Sequence, residues 1–161
     1  MLSRAEERLL RGLRRRKIRD EEGLFVAEGL RVAEGLAASG LPIRFAVVAP
    51  ALGTSDRGRA LATALEARAR VRRVEDRVLT QLADTETPQG VLVVAEIPRR
   101  SLADVVLPDP NGTVLVLDGV QDPGNFGTMV RTAEALGATA VIALPGTVDP
   151  WNPKAVRSSA G

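Results

Sequence analysis

Short apolar runs alternate with amphipathic stretches along most of this chain. Residues 24–29 (LFVAEG), 43–49 (IRFAVVA), 71–74 (VRRV), 91–96 (VLVVAE), 113–117 (TVLVL) and 140–144 (AVIAL) have the length and apolar content of strands. Between them, apolar residues recur at helical spacing. Residues 30–39 predict a helix with Leu30, Val32, Ala33, Leu36 and Ala37 inward, and residues 56–70 predict one on Leu61, Ala64, Leu65 and Ala69. A short helix is expected over 75–82. Another is expected over 126–136, with Asn125 as N-cap, Gly137 just past its end, and Phe126, Met129, Val130, Ala133 and Leu136 facing a sheet. Ahead of all of these, residues 3–19 predict one helix opened by a Ser3/Glu6 capping box, with residues 20–23 as a turn. Residues 154–161 begin a helix or turn.

The pattern divides the chain. Strand and helix alternate to Ile97, which implies a small α/β domain over residues 1–97. Residues 98–112, with Pro98, Pro108, Pro110, Asn111 and Gly112, read as a linker with one helical turn over 101–105. Residues 113–161 then open a second α/β part with a strand–helix–strand unit. Its first strand is of the type buried on both faces of a parallel sheet.

Charge sharpens the division. Residues 1–100 carry 19 basic and 14 acidic groups, whereas residues 101–161 carry three and six, so a basic front meets a mildly acidic back. The first 19 residues hold Arg4, Arg8, Arg11, Arg14, Arg15, Arg16, Lys17 and Arg19 against Glu6 and Glu7. This strip reads either as a solvated helix face or as a phosphate-binding surface. The N-terminal run has no apolar signal core, so the cytoplasm is the expected location. With no Cys and no His, disulfides, thiolate metal sites and the commonest metal ligand are excluded, and no metal is expected. Any catalysis falls to Arg, Lys, carboxylates, amides, hydroxyls or the backbone.

The stretch LVLDGVQDPGNFGTMVRTAEALG over residues 115–137 is the candidate centre. Gly119, Gly124 and Gly127 do not space as G-x-G-x-x-G, and no P-loop lysine is present, so a dinucleotide cradle is disfavoured. Taken singly, Asn125, Gly127 and Arg131 each have a structural explanation: a cap, a close approach of helix to strand, and a solvated residue.

In combination they resemble a family. Asp122-Pro123-Gly124-Asn125-Phe126-Gly127, followed by Thr128-Met129-Val130-Arg131-Thr132-Ala133, resembles the first motif of the SpoU-like RNA ribose 2′-O-methyltransferases of the SPOUT superfamily. Asn152-Pro153-Lys154-Ala155-Val156-Arg157-Ser158-Ser159-Ala160-Gly161 is similar to the family's continuation. Lys17-Ile18-Arg19 with Gly23-Leu24-Phe25-Val26-Ala27-Glu28-Gly29, and Thr87-Pro88-Gln89-Gly90, resemble its substrate-binding domain.

The resemblance implies a small α/β RNA-binding domain followed by the first part of a trefoil-knotted α/β methyltransferase domain. It implies methyl transfer from S-adenosylmethionine to a ribose 2′-hydroxyl of ribosomal RNA, or less readily transfer RNA, by a homodimer. It casts Arg131 as the catalytic residue, gripping the target phosphate and orienting the hydroxyl, with Asn125 holding the loop and assisting. Arg14, Arg15, Arg16, Lys17, Arg19, Lys154 and Arg157 become RNA-contact candidates. Glu28 is either a further contact or a buried polar tie. The family's cofactor-binding residues are expected beyond Gly161, which makes the chain a C-terminally truncated form with weak affinity for S-adenosylmethionine. The alternative is a non-catalytic RNA-binding module acting through the basic front domain.

Overall fold

In the computed structural model, which describes residues 1–106 and 112–159, the basic N-terminal run folds as two helices rather than one. Helix α1 (Arg4–Gly12) opens on the expected capping box: Glu6 N donates to Ser3 Oγ at 3.2 Å and Ser3 N to Glu6 Oε2 at 2.8 Å. It ends at Gly12, where the chain turns tightly against Ile18, and α2 (Arg16–Glu22) follows from an extended Arg15. Arg19 braces the break. Arg19 is 2% exposed, and its Nη1 donates to the carbonyls of Leu13 at 2.8 Å and Arg14 at 2.9 Å. A guanidinium thus meets carbonyls that a helix end leaves open. The break also leaves Leu10 and Leu13 buried in the core. Helix α2 consumes the expected turn and stops at Gly23, whose φ of 65° only glycine adopts freely.

The chain then runs through β1 (Leu24–Glu28), α3 (Leu30–Ala38), β2 (Ile43–Val48), a 3-10 turn (Pro50–Thr54), α4 (Asp56–Arg68), β3 (Val71–Arg73), α5 (Asp76–Leu82) and β4 (Val91–Glu96). The four strands form one sheet in the order β1-β4-β2-β3. Strand β4 lies antiparallel to β1 and β2, and β2 lies parallel to β3. Val26, Phe45, Val47, Leu92 and Val94 point to one face, where they join Leu10, Leu13, Leu79 and Leu82. Their neighbours Phe25, Ala27, Ala46, Val93 and Ala95 are equally buried on the other face, where α3 and α4 pack. Covering both faces is why these strands are almost wholly apolar.

Residues Met1–Ile97 form one unit and Pro98–Gly161 a second. Of the expected linker, residues 107–111 lie outside the described residues; a 3-10 turn (Leu102–Asp104) precedes them. The second unit holds β5 (Val114–Leu117), α6 (Pro123–Ala135), β6 (Ala140–Ala143) and α7 (Pro153–Ser159). Strands β5 and β6 pair in parallel, from Val114 with Ala140 to Leu117 with Ala143, which makes the expected strand–helix–strand unit. Its core is Leu117, Phe126 and Ala155, with Leu115, Val120, Val130, Val141 and Val148 packed around them.

Two expectations fail here. Strand β5 is not buried on both faces, since Val116 is 51% exposed; only the face toward α6 and α7 is covered within this unit. Nor are Met129 and Leu136 buried against the strands: Met129 is 40% and Leu136 82% exposed, while Phe126 and Ala133 are buried. The helical period marked an apolar face wider than the two strands here occupy.

Candidate functional site

Helix α6 begins earlier than its apolar period indicates. Asp122, not Asn125, is its N-cap: Asn125 N donates to Asp122 Oδ1 at 2.7 Å, and Pro123 occupies the first turn. A carboxylate cap followed by proline is a favoured helix start, since proline has no N–H to leave orphaned. The backbone hydrogen bond from Asn125, first, and the charge of Lys154 hold the Asp122 carboxyl below the ordinary carboxylate range. Lys154 Nζ lies 3.6 Å from Asp122 Oδ2. Its side chain passes over Gly124, whose missing side chain leaves that space open.

Gly127 has a similar role one turn on. A Cβ built there would stand 2.5 Å from the carbonyl oxygen of Ala155 and 2.7 Å from the backbone nitrogen of Ser159. The glycine therefore serves close contact with α7, not with a strand. Helix α7 is capped by Asn152, whose Oδ1 accepts from Lys154 N at 2.9 Å. The two halves of the SpoU-like pattern, residues 122–133 and 152–159, are thus one packed helix pair; Ala160 and Gly161 lie outside the described residues.

Arg131 stands exposed on α6 and has no hydrogen-bond or ion-pair partner among the described residues. The exposed amide of Asn125 also has none. Six residues of helix put the two roughly 9 Å apart along the axis and about 120° apart around it. Asn125 thus does not brace Arg131 directly. What gathers at the start of α6 is Asp122, Asn125 and Lys154. Arg157 is half-buried on α7.

In the first unit the expected RNA contacts separate into groups. Arg19 is buried as described, and Arg14 Nη2 donates to the carbonyls of Leu82 at 3.1 Å and Ala83 at 2.5 Å, at the end of α5. Both arginines complement carbonyl-rich helix ends. Arg19 is corrected from RNA contact to structural tie, and Arg14 is largely committed. Arg16 and Lys17 face acids one turn on, Asp20 at 3.6 Å and Glu21 at 3.8 Å. Of the group, only Arg15 is exposed without a partner among the described residues.

Glu28 is 3% exposed, which removes it as an RNA contact. Its carboxylate accepts from Asp84 N at 2.7 Å, from Thr85 N at 3.1 Å and from the Thr85 hydroxyl. The next residues show why the two front-half motifs belong together. Gly29 turns at φ 102°, and Leu30 N donates to Gln89 Oε1 at 2.8 Å, so Gln89 caps α3 from across the fold. Sequence reasoning missed Asp122, for which the Asp-Pro pair was the available signal. It also missed the contact role of Gly127, for which no local signal exists.

Comparison with known proteins accords with both units. Residues 8–93 match the MRM3-like substrate binding domain, and residues 112–161 match the SpoU rRNA Methylase family. The chain is 45% identical over 80 residues to the Bacillus subtilis 23S rRNA (guanosine(2553)-2'-O)-methyltransferase RlmP, covering 50% of this chain and 30% of that protein. It is 31% identical over 154 residues to the zebrafish (Danio rerio) mitochondrial rRNA methyltransferase 3A, covering 92% of this chain and 34% of that one. The AdoMet-bound rRNA methyltransferase of Sinorhizobium meliloti superposes with a TM-score of 0.81 at 31% identity, covering 99% of this chain and 59% of that structure. The SpoU methyltransferase AviRb of Streptomyces viridochromogenes with AdoMet does so at 0.84 and 28%, covering 99% and 60%. The chain thus spans about a third of these curated relatives and three-fifths of these structures. With the substrate-binding match over more than half its length, the chain belongs to the family of the MRM3-like substrate binding domain, and its residues 112–161 match the SpoU rRNA Methylase family.

Proposed function

We propose that the whole protein methylates a ribose 2′-hydroxyl of ribosomal RNA with S-adenosylmethionine as donor. The observation that carries this is Arg131, a guanidinium without a partner among the described residues, on the α6 that the 122–133 motif builds. A 2′-hydroxyl is a weak nucleophile and has to be oriented for in-line attack. Arg131 stays charged and is a poor base. It therefore acts by gripping the phosphate of the target nucleotide through paired N–H donors, fixing the ribose and letting that phosphate accept the hydroxyl proton. Lys154, with Asn125 at the start of α6, supplies further RNA contacts, and Arg157 lies one turn beyond Lys154 on α7. The first unit carries the RNA.

The groove that the described residues form beside this motif does not match S-adenosylmethionine. That groove, of about 370 Å³ beside β5 and α6, is lined by Val114, Leu115, Met129 and Ala133, with Thr128 and Thr132 as polar neighbours. Both hydroxyls donate to carbonyls of their own helix, Gly124 and Thr128, and no carboxylate lines the groove to meet the donor's charged amino group. We further propose a cytoplasmic homodimer: the family resemblance supports the dimer, and no described helix is long and apolar enough to cross a membrane.

The test is transfer of labelled methyl from S-adenosylmethionine to ribosomal RNA by the whole protein. Arg131→Ala should abolish transfer while the melting curve is retained, with RNA affinity lowered by no more than the loss of one phosphate contact. Unchanged turnover would remove Arg131 from the mechanism. RNA binding with no transfer by the unaltered protein would favour the non-catalytic module instead.

A further inference from the structure

We propose that the first unit grips an RNA phosphate in a groove between α1 and the starts of β2 and β3, with Arg44 and Arg70 as the clamp. The proposal rests on RNA being the substrate, and it moves the contact surface away from the Arg14–Arg19 strip.

Two observations carry it. First, the strip is largely occupied: Arg19 is buried, Arg14 is bound to carbonyls of residues 82 and 83, and Arg16 and Lys17 face Asp20 and Glu21, which leaves Arg15 as its one exposed member without a partner among the described residues. Second, Arg44 and Arg70 are exposed and without a hydrogen-bond or ion-pair partner among the described residues, yet they line one groove of about 540 Å³ with Ala5, Glu6, Leu9 and Phe45. Parallel pairing explains the juxtaposition. Ala46 sits opposite Val71, and Ala46 N donates to Arg70 O at 3.0 Å, so the first residues of β2 and the approach to β3 lie side by side.

Glu6 is the sole acid lining the groove, and its charge is already matched. Arg72 donates to its Oε1 through Nε at 2.9 Å and Nη2 at 2.7 Å, and Ser3 N occupies Oε2. Arg72 thus neutralises Glu6, and Arg44 and Arg70 are left as surplus positive charge on the groove. The walls suit a nucleotide: apolar Ala5, Leu9 and Phe45 for ribose or base, and two free planar forks for the phosphate. No strong local acid opposes an anion there. A protein partner with an acidic peptide would meet the same charges, but the domain's match to a substrate-binding family whose relatives act on ribosomal RNA favours RNA.

The experiment is a titration of this chain with a short fluorescein-labelled single-stranded RNA of mixed sequence, repeated over a range of salt. Arg44→Ala with Arg70→Ala should weaken binding roughly tenfold or more and lower the slope of log K against log salt by about 0.7, the share of the one phosphate they clamp. Ala5→Glu, which places an acid on the groove wall without touching either arginine, should weaken binding as well. Arg16→Ala with Lys17→Ala should leave both affinity and slope near the unaltered values. Far-UV circular dichroism checks that each variant is folded, which the exposed positions permit. If the unaltered chain binds and the Arg44/Arg70 variant keeps its affinity and slope, the groove is refuted while the RNA reading stands. If the Arg16/Lys17 variant loses as much as the Arg44/Arg70 variant, the groove is refuted in favour of the strip. No binding by the unaltered chain would overturn both the groove and the role given to the first unit.

Discussion

Replacing Gly127 by alanine tests whether the α6–α7 contact holds the second unit together. Without rearrangement the new methyl would lie 2.5 Å from the Ala155 carbonyl oxygen, 2.5 Å from Ser158 Cβ and 2.7 Å from Ser159 N. Favourable heavy-atom contacts begin at roughly 3.5 Å, so α7 has to retreat by about 1 Å. Two of the three obstacles are backbone atoms, which no rotamer change relieves. Overpacking of this kind costs about 1–3 kcal/mol. Against it, alanine in a helix interior gains about 0.5–1 kcal/mol over glycine. The net expectation is a loss of about 1–2 kcal/mol. Gly35 supplies the control, because it lies inside α3 with nothing within 4 Å of a built Cβ. There the same substitution should stabilise by about 0.5–1 kcal/mol. Urea unfolding followed by the fluorescence of Trp151, the sole tryptophan and part of the second unit, reports on Gly127→Ala; far-UV circular dichroism reports on Gly35→Ala. A Gly127 variant that unfolds at higher urea with an unchanged slope would show that α7 has room, and would refute the close-contact reading.

Other outcomes follow from the first unit. Glu28→Ala leaves the Asp84 and Thr85 amides without their acceptor and should cost about 3 kcal/mol, read as a lower urea midpoint and faster proteolysis near residues 84–87. Arg19→Ala removes two buried donations and should cost about 2–4 kcal/mol, with RNA affinity per folded molecule unchanged; a loss of affinity in a fully folded variant would restore Arg19 as a contact. Burial raises the pKa of Glu6, but the hydrogen bonds from Arg72 and Ser3 outweigh it and hold the pKa below the ordinary 4.5. Its contribution to stability is therefore full above pH 4.5 and lost as the pH falls through the lowered value. The acid limb of a stability–pH curve should flatten in Glu6→Gln, and an unaltered limb would show that the carboxylate carries no such linkage.

Much of this architecture is legible in the residues. Strands 24–28, 43–48 and 91–96 follow from apolar runs buried on both faces, and the Ser3/Glu6 capping box forms as its four-residue signature indicates. The N-terminal break is not legible, because Arg19 has no local mark of burial. It is spent on carbonyls left open by the end of α1, and those carbonyls are open only because the helix has ended. Asp122 was legible as a cap from the Asp-Pro pair, but the apolar period beginning at Phe126 competed with it.

For the candidate site, local capping and periodicity suffice to put Arg131 on a helix after a strand and a Pro-Gly-rich loop. Which basic residues remain available is a matter of long-range packing. Arg14 is held by carbonyls far along the chain and Arg19 is buried on those of a helix end, while Arg44 and Arg70 come to one groove because β2 and β3 pair in parallel. Charge counted along a sequence says how many cations exist. Which of them stay free for a phosphate depends on which carbonyls and carboxylates the fold places beside each one.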